Sequence, residues 1–184
     1  MKKILITGAG GYIGTQMVEY FLENGYEVIA LDKYLFGNTL KDLQGHPNLT
    51  IVKDDIRYFD KILLAGVYAV IDLASISNDP SSELLPSITM DINRDGAIRV
   101  ATLAKEMGVK KFIFSSSCSI YGAGDGILNE ESPVAPISVY AKCKIAAEEN
   151  IIGLADENFS VTFLRNATVY GLSPRRMRFD LIIN

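Results

Sequence analysis

The stretch "VYAKCK" sets Tyr140 and Lys144 four residues apart, which places a phenol and an ammonium one turn apart on a single helix face. A free phenol titrates near about 10, and a neighbouring cation favours its ionised form. The pair therefore predicts a phenol acidic enough to take a proton from a substrate hydroxyl. Upstream, "FSSSCSIYG" closes an apolar run. A hydroxyl at that point can hold the reacting oxygen, and Ser117 is the candidate. Cys118 beside it offers a rival nucleophile, but no histidine or cation adjoins it in sequence to lower its pKa. A Tyr-x-x-x-Lys spacing arises readily by chance, so its meaning depends on its surroundings.

Those surroundings begin with "ILITGAGGYIG" at residues 4–14, where Gly8, Gly10, Gly11 and Gly14 crowd together. A helix that starts directly after a buried strand presents unpaired amides and the positive end of its dipole. A diphosphate approaches them only where side chains are missing. Gly8 allows the tight turn, Gly11 the close approach, and Gly14 the packing of helix on sheet. The pattern is G-x-x-G-x-x-G; the G-x-G-x-x-G form fails because Ile13 holds its last position. Asp32 ends the next apolar run. A carboxylate there accepts hydrogen bonds from a ribose diol and repels a 2′-phosphate, which favours NAD over NADP as the cofactor. Lys33, beside it, is the one residue that leaves the choice open.

The scaffold for these groups follows from the alternation of short β-branched runs with helical spacing. The runs are "KKILITG", "YEVIALD" (26–32), "LTIVKD" (49–54), "YAVIDLA" (68–74), "KKFIFSSS" (110–117) and "FSVTFLRN" (159–166). Most are apolar on successive residues, as strands covered on both faces of a parallel sheet are. Ile13, Met17, Val18, Phe21 and Leu22 make one helical face, closed by Asn24-Gly25. Further helices are predicted over about 84–107 and 138–155, with 122–137 the longest irregular stretch. The expected fold is an α/β doubly wound parallel sheet of Rossmann type with right-handed crossovers.

Bulk properties agree and narrow the function. The 184 residues are 48% hydrophobic and 22% charged, with a net charge of −4, which fits one substantial globular domain. No basic block exceeds "RRMR", so no nucleic-acid partner is indicated. The apolar run near Met1 is too short for a signal peptide or a membrane span. Cys118 and Cys143 give neither a disulfide framework nor a zinc spacing and fit a reducing, cytoplasmic setting. His46 is the single histidine, in the polar loop "QGHPN"; a Ser-His-Asp hydrolase or a histidine metal site is hard to build around it.

Taken together, "TGAGGYIG", "LD" (31–32), "DDI" (54–56), "DLAS" (72–75), "FSSSCSIYG" and "YAKCK" resemble an extended short-chain dehydrogenase/reductase of the NAD-dependent nucleotide-sugar epimerase and dehydratase type. The resemblance implies that Gly8, Gly11, Tyr12, Ile13 and Gly14 surround the diphosphate of NAD, with Asp32 on the adenosine ribose. It implies Asp55 and Ile56 beside the adenine, and Leu73, Ala74 and Ser75 along the cofactor. Ser117, Tyr140 and Lys144 match the catalytic triad, Lys144 also holding the nicotinamide ribose; Asn93 matches an asparagine of open role. Cys118 and Ser119 stand where sugar 4,6-dehydratases carry acidic groups, and Thr168 where epimerases often carry asparagine. The first departure favours an epimerase acting through a transient keto sugar over a dehydratase, with a net oxidoreductase or a non-catalytic NAD-binding module as the alternatives. "SPRRMR" (173–178) is a candidate for an anionic group of the nucleotide-diphosphate sugar substrate. The resemblance also implies that residues 1–184 form the cofactor domain, that a smaller C-terminal substrate domain is absent from this chain, and that helices near 84–107 and 138–155 are candidates for a homodimer contact.

Overall fold

The fold is described from a computed structural model covering residues 1–77, 79–124 and 126–179. Six strands, β1 (Lys3–Thr7), β2 (Glu27–Asp32), β3 (Leu49–Lys53), β4 (Val67–Asp72), β5 (Lys111–Ser117) and β6 (Ser160–Asn166), form one sheet in the order β3-β2-β1-β4-β5-β6. All neighbours pair in parallel. The strand order reverses between β1 and β4, and ligands bind such sheets in the crevice beyond the strand ends at that point. Thr7 pairs with both Leu31 and Asp72 there.

Successive apolar residues in the strands serve two cores. Ile4 and Ile6 pack with Val18 and Leu22 of α1 (Tyr12–Glu23) on one face. Leu5, Val70, Phe112 and Phe114 pack on the other with helices α4 (Ala97–Glu106) and α5 (Val139–Ile152). The doubly wound expectation is met. The edge strand β6 instead alternates in exposure, because Val161 and Phe163 on one face pack against the core and the residues alternating with them do not.

The helix predicted over 84–107 is broken. It starts earlier, as α2 (Asp79–Leu84), stops at Leu85, resumes as α3 (Pro86–Met90), widens into a π turn (Asp91–Gly96) and finishes as α4. Pro86 causes the break: its ring disfavours helical geometry at the preceding residue, and Leu85 stands at φ −140° and ψ 78°. The third helix starts where expected, with the Ser138 hydroxyl accepting from the Ala141 amide at 3.2 Å, and ends at Ile152 rather than 155. Among the described residues no helix is long and apolar enough to cross a membrane. Asp180–Asn184 of the closing apolar run lie outside the described residues.

Candidate active site

The glycine turn is dictated first by the chain's own packing. Gly8 has φ +64°, and a Cβ there would lie 2.8 Å from the Ala74 nitrogen. A Cβ on Gly14 would fall 2.2 Å from the Gly8 carbonyl oxygen, so α1 can cross the turn only without one. Gly11 is the N-cap of α1 and no side chain caps the helix. The start of α1 thus presents the positive end of the helix at a turn with no capping side chain, a cradle that fits a diphosphate. The Tyr12 side chain turns away from it: its hydroxyl donates to the Gly171 carbonyl at 2.5 Å.

Gly10, left without a role by the sequence, is required by a ring. A Cβ there would meet Tyr34 at 2.8 Å. Its amide donates to Asp32 Oδ2 at 3.0 Å, and the Tyr34 amide donates to Oδ1 at 2.6 Å. The acid at the end of β2 is thus held against the glycine turn, partly exposed. Lys33 turns away to Asp55, at 2.8 Å. Asp55 also accepts from the Arg57 side chain at 2.8 and 3.1 Å, and Arg57 above all holds its carboxyl well below the usual carboxylate range. Neighbouring Ile56 is buried and fills the space left by Gly96 of the π turn.

On the β4 side, one hydroxyl organises the backbone. Thr7 Oγ1 accepts from the amides of Leu73 and Ala74, both at 3.1 Å, and donates to Asp72 Oδ1. Ser75 follows, and Asn93 then grips the next residue twice. Its Oδ1 accepts from the Ile76 amide at 2.8 Å, and its Nδ2 donates to the Ile76 carbonyl at 2.9 Å. Asn93, whose role was open, fixes the Leu73–Ile76 segment from the π turn; such turns frequently mark functional sites.

The predicted triad comes together at the carboxyl ends of the strands. Ser117 ends β5, its Oγ accepting from the Ser119 amide at 3.2 Å, and it faces the Tyr140 phenol, favouring its ionised form. Lys144 is 2% exposed. Its Nζ donates to the Ser115 carbonyl at 2.8 Å and lies 4.6 Å over the Phe114 ring and 5.5 Å over the Tyr140 ring.

One electrostatic expectation is corrected. The phenol is not acidified: burial above all pushes the Tyr140 pKa up, with Asp79 adding to it and Ser117 and Arg178 opposing it. The reason is placement, since the Lys144 ammonium sits against the phenol's ring and a β5 carbonyl instead of its hydroxyl. Burial also pulls Lys144 down to about 8, against the pull of Asp72. Asp72 is pushed up to about 6 by burial, opposed by Thr7 and Lys144.

Other candidates fall elsewhere. Arg175 of "SPRRMR" is spent on Glu19 and Asp42, at 2.9 and 2.8 Å, and Arg176 lies over the Phe36 ring at 4.2 Å. Arg178 is the arginine of that run that bears on Tyr140. Cys118 is exposed in the 3-10 turn after Ser117, Thr168 is exposed, and His46 accepts from the Asn48 amide at 3.2 Å. Sequence reasoning assigned no role to Thr7, Asp72 or Gly10.

With this geometry in view, the chain matches the NAD dependent epimerase/dehydratase family over residues 4–183. It is 31% identical over 182 residues to a UDP-glucose 4-epimerase of Streptococcus mutans, covering 93% of this chain and 53% of that protein. Its fold is similar to the UDP-glucuronic acid 4-epimerase from Bacillus cereus solved with UDP-glucuronic acid and NAD. There the TM-score is 0.84 and the identity 28%, over 95% of this chain and 58% of that one. It is also similar to TunA, an NAD dependent NDP-hexosamine 5,6-dehydratase, with a TM-score of 0.77 and 28% identity, over 90% of this chain and 54% of that one. The chain spans about half the length of the curated relatives it matches, 53% and 54% of two UDP-glucose 4-epimerases for example.

Proposed function

Because the chain belongs to the NAD dependent epimerase/dehydratase family, we propose that it carries the cofactor site and proton-transfer groups of an epimerase acting on a nucleoside-diphosphate sugar. The α1 amides after Gly11 hold the diphosphate of NAD, Asp32 the adenosine ribose, and Asp55 and Ile56 flank the adenine. Leu73, Ala74 and Ser75 line the cofactor, and Lys144 holds the nicotinamide ribose. When bound, NAD supplies a hydride acceptor that can return the hydride, together with a positive ring. Ser117 orients the substrate hydroxyl, and Tyr140 takes its proton as the sugar becomes a ketone and returns it afterwards. A phenol whose pKa is raised by burial needs cationic help to do this; Arg178 opposes that rise at the phenol, while Lys144 holds the nicotinamide ribose as an ammonium.

The observation that carries the reading is the meeting of Ser117, Tyr140 and Lys144 beside the crevice between β1 and β4. The relatives compared above support a UDP-sugar as substrate. Cys118 and Ser119, which lack carboxylates, favour epimerisation over 4,6-dehydration. The test is isomer formation from UDP-glucose and UDP-glucuronic acid, with mass balance in NADH. Tyr140→Phe is expected to stop turnover while NAD still binds; surviving turnover would remove Tyr140 as the base. Net NADH would indicate an oxidoreductase instead.

The same reading places the protein in the cytoplasm as a homodimer. Its contact is assigned to the face where Met90 and Arg94 adjoin Val139, Lys142 and Cys143, flanked by exposed Leu84 and Ile88. Sedimentation of the protein checks this: a monomer at micromolar concentration would exclude it.

A further inference from the structure

At the floor of the site lie two charged side chains that do not touch. Asp72, at the carboxyl end of β4, is 1% exposed, and Lys144 of α5 is 2% exposed. One carboxylate oxygen of Asp72 accepts from Thr7; the other is buried with no hydrogen-bond partner among the described residues. Lys144 has three donors, one of them given to Ser115. No ion pair within bonding distance joins the two, yet each is the leading charged partner of the other. A buried carboxylate left half satisfied is costly.

We propose that Asp72 is a positioning residue of the proposed reaction: its buried carboxylate is the counter-charge that keeps Lys144 an ammonium in a dry site, and Thr7 ties that carboxylate to the cofactor-lining segment. The inference rests on the function proposed above for the cofactor part and the triad. An isolated buried ammonium sheds its proton, and an opposite charge nearby retains it. The charged and titratable groups facing the pair are few. Lys144 sees Asp72 from β4, and Cys143, Glu148 and the Tyr140 ring from its own helix; Glu148 is engaged by Arg165 of β6. Asp72 sees Lys144 and the Thr7 hydroxyl. Thr7 couples the pair to the site, because the same oxygen receives the Leu73 and Ala74 amides.

The direct measurement is the titration of the Lys144 side chain, followed through its 13Cε resonance in selectively labelled protein of native length and assigned with Lys144→Met. In Asp72→Asn the midpoint is expected to fall at least tenfold in proton concentration, that is, by one pH unit or more. The alkaline limb of activity on the UDP-sugar should move down with it, while KM changes little. An unchanged or raised midpoint overturns the proposal. Should Asp72→Asn fail to fold, the unmodified protein decides. Lys144 coupled to Asp72 must show a second inflection where the carboxylate titrates, near pH 6; a single step near pH 8 overturns it. The resonance reports without turnover, so an inactive enzyme with the expected midpoint shift refutes the epimerase reading and leaves the Asp72–Lys144 coupling standing.

Discussion

Lys144 and Glu148 sit four residues apart on α5, both buried and both facing an opposite charge from another strand, yet they are built in opposite ways. Glu148 is saturated. Arg165 of β6 grips it at 2.7 and 3.2 Å, Ser116 donates to it, and the same guanidinium reaches the Tyr121 hydroxyl and the Glu130 carbonyl, both at 2.9 Å. Lys144 and Asp72 are left short of contact, each with unused bonding capacity. A saturated pair serves as a brace; it pins β6, the turn after β5 and the loop near 130 around the triad. An unsaturated pair keeps its charges responsive, which is of use where a proton is to be moved. One helix thus provides rigidity and responsiveness a single turn apart.

The difference can be broken or sharpened by experiment. The largest effect belongs to Tyr140→Phe, expected to lower kcat by about 10²–10⁴-fold, the usual range for a lost proton-transfer group, with NAD content unchanged by absorbance. Next, Arg165→Met strands a buried carboxylate and should cost about 3 kcal/mol in urea unfolding, without moving the pH optimum of any remaining activity. A moved optimum would erase the distinction between brace and responsive pair.

The pH dependence of stability comes third. Asp72 is raised from 3.8 to about 6, so its carboxylate burdens the folded state above pH 6 and not below about pH 4. Relative to Asp72→Asn, the protein should lose about 2 kcal/mol of stability between those limits, read from urea midpoints. Lys144 is lowered from 10.5 to about 8, so its burden is present below pH 8 and fades as pH rises toward 10.5. The smallest effect is Arg175→Met, which removes a partly exposed pair with Glu19 and Asp42. About 1 kcal/mol is expected, weakening as salt is added, measured by thermal unfolding at two ionic strengths.

How much of this was legible in the sequence depends on how locally each feature is encoded. Strand runs, the Gly8–Gly14 turn and the Tyr140–Lys144 spacing are short-range patterns, and the fold realises them nearly as written. The Pro86 break was visible and outweighed by apolar periodicity on either side. The Thr7–Asp72 contact was not legible: the two lie 65 positions apart and meet only because β1 pairs with β4. Asp72 looks like an ordinary polar end to an apolar run until burial is known. The direction of the Tyr140 shift failed for a related reason, since spacing places Lys144 on the same face but does not say which part of the ring it reaches.

The strap after β6 has a consequence for how the molecule comes together. Tyr12 meets Gly171 across 159 positions, and Ser173 Oγ donates to the Tyr12 carbonyl at 2.9 Å. Closing so long a loop is entropically slow, so these stitches are expected last in folding, after the sheet has assembled. Beside the nucleotide cradle, residues far apart along the chain are stitched together only after the sheet exists, and pulsed hydrogen exchange should find protection at Ser173–Arg176 lagging behind β1.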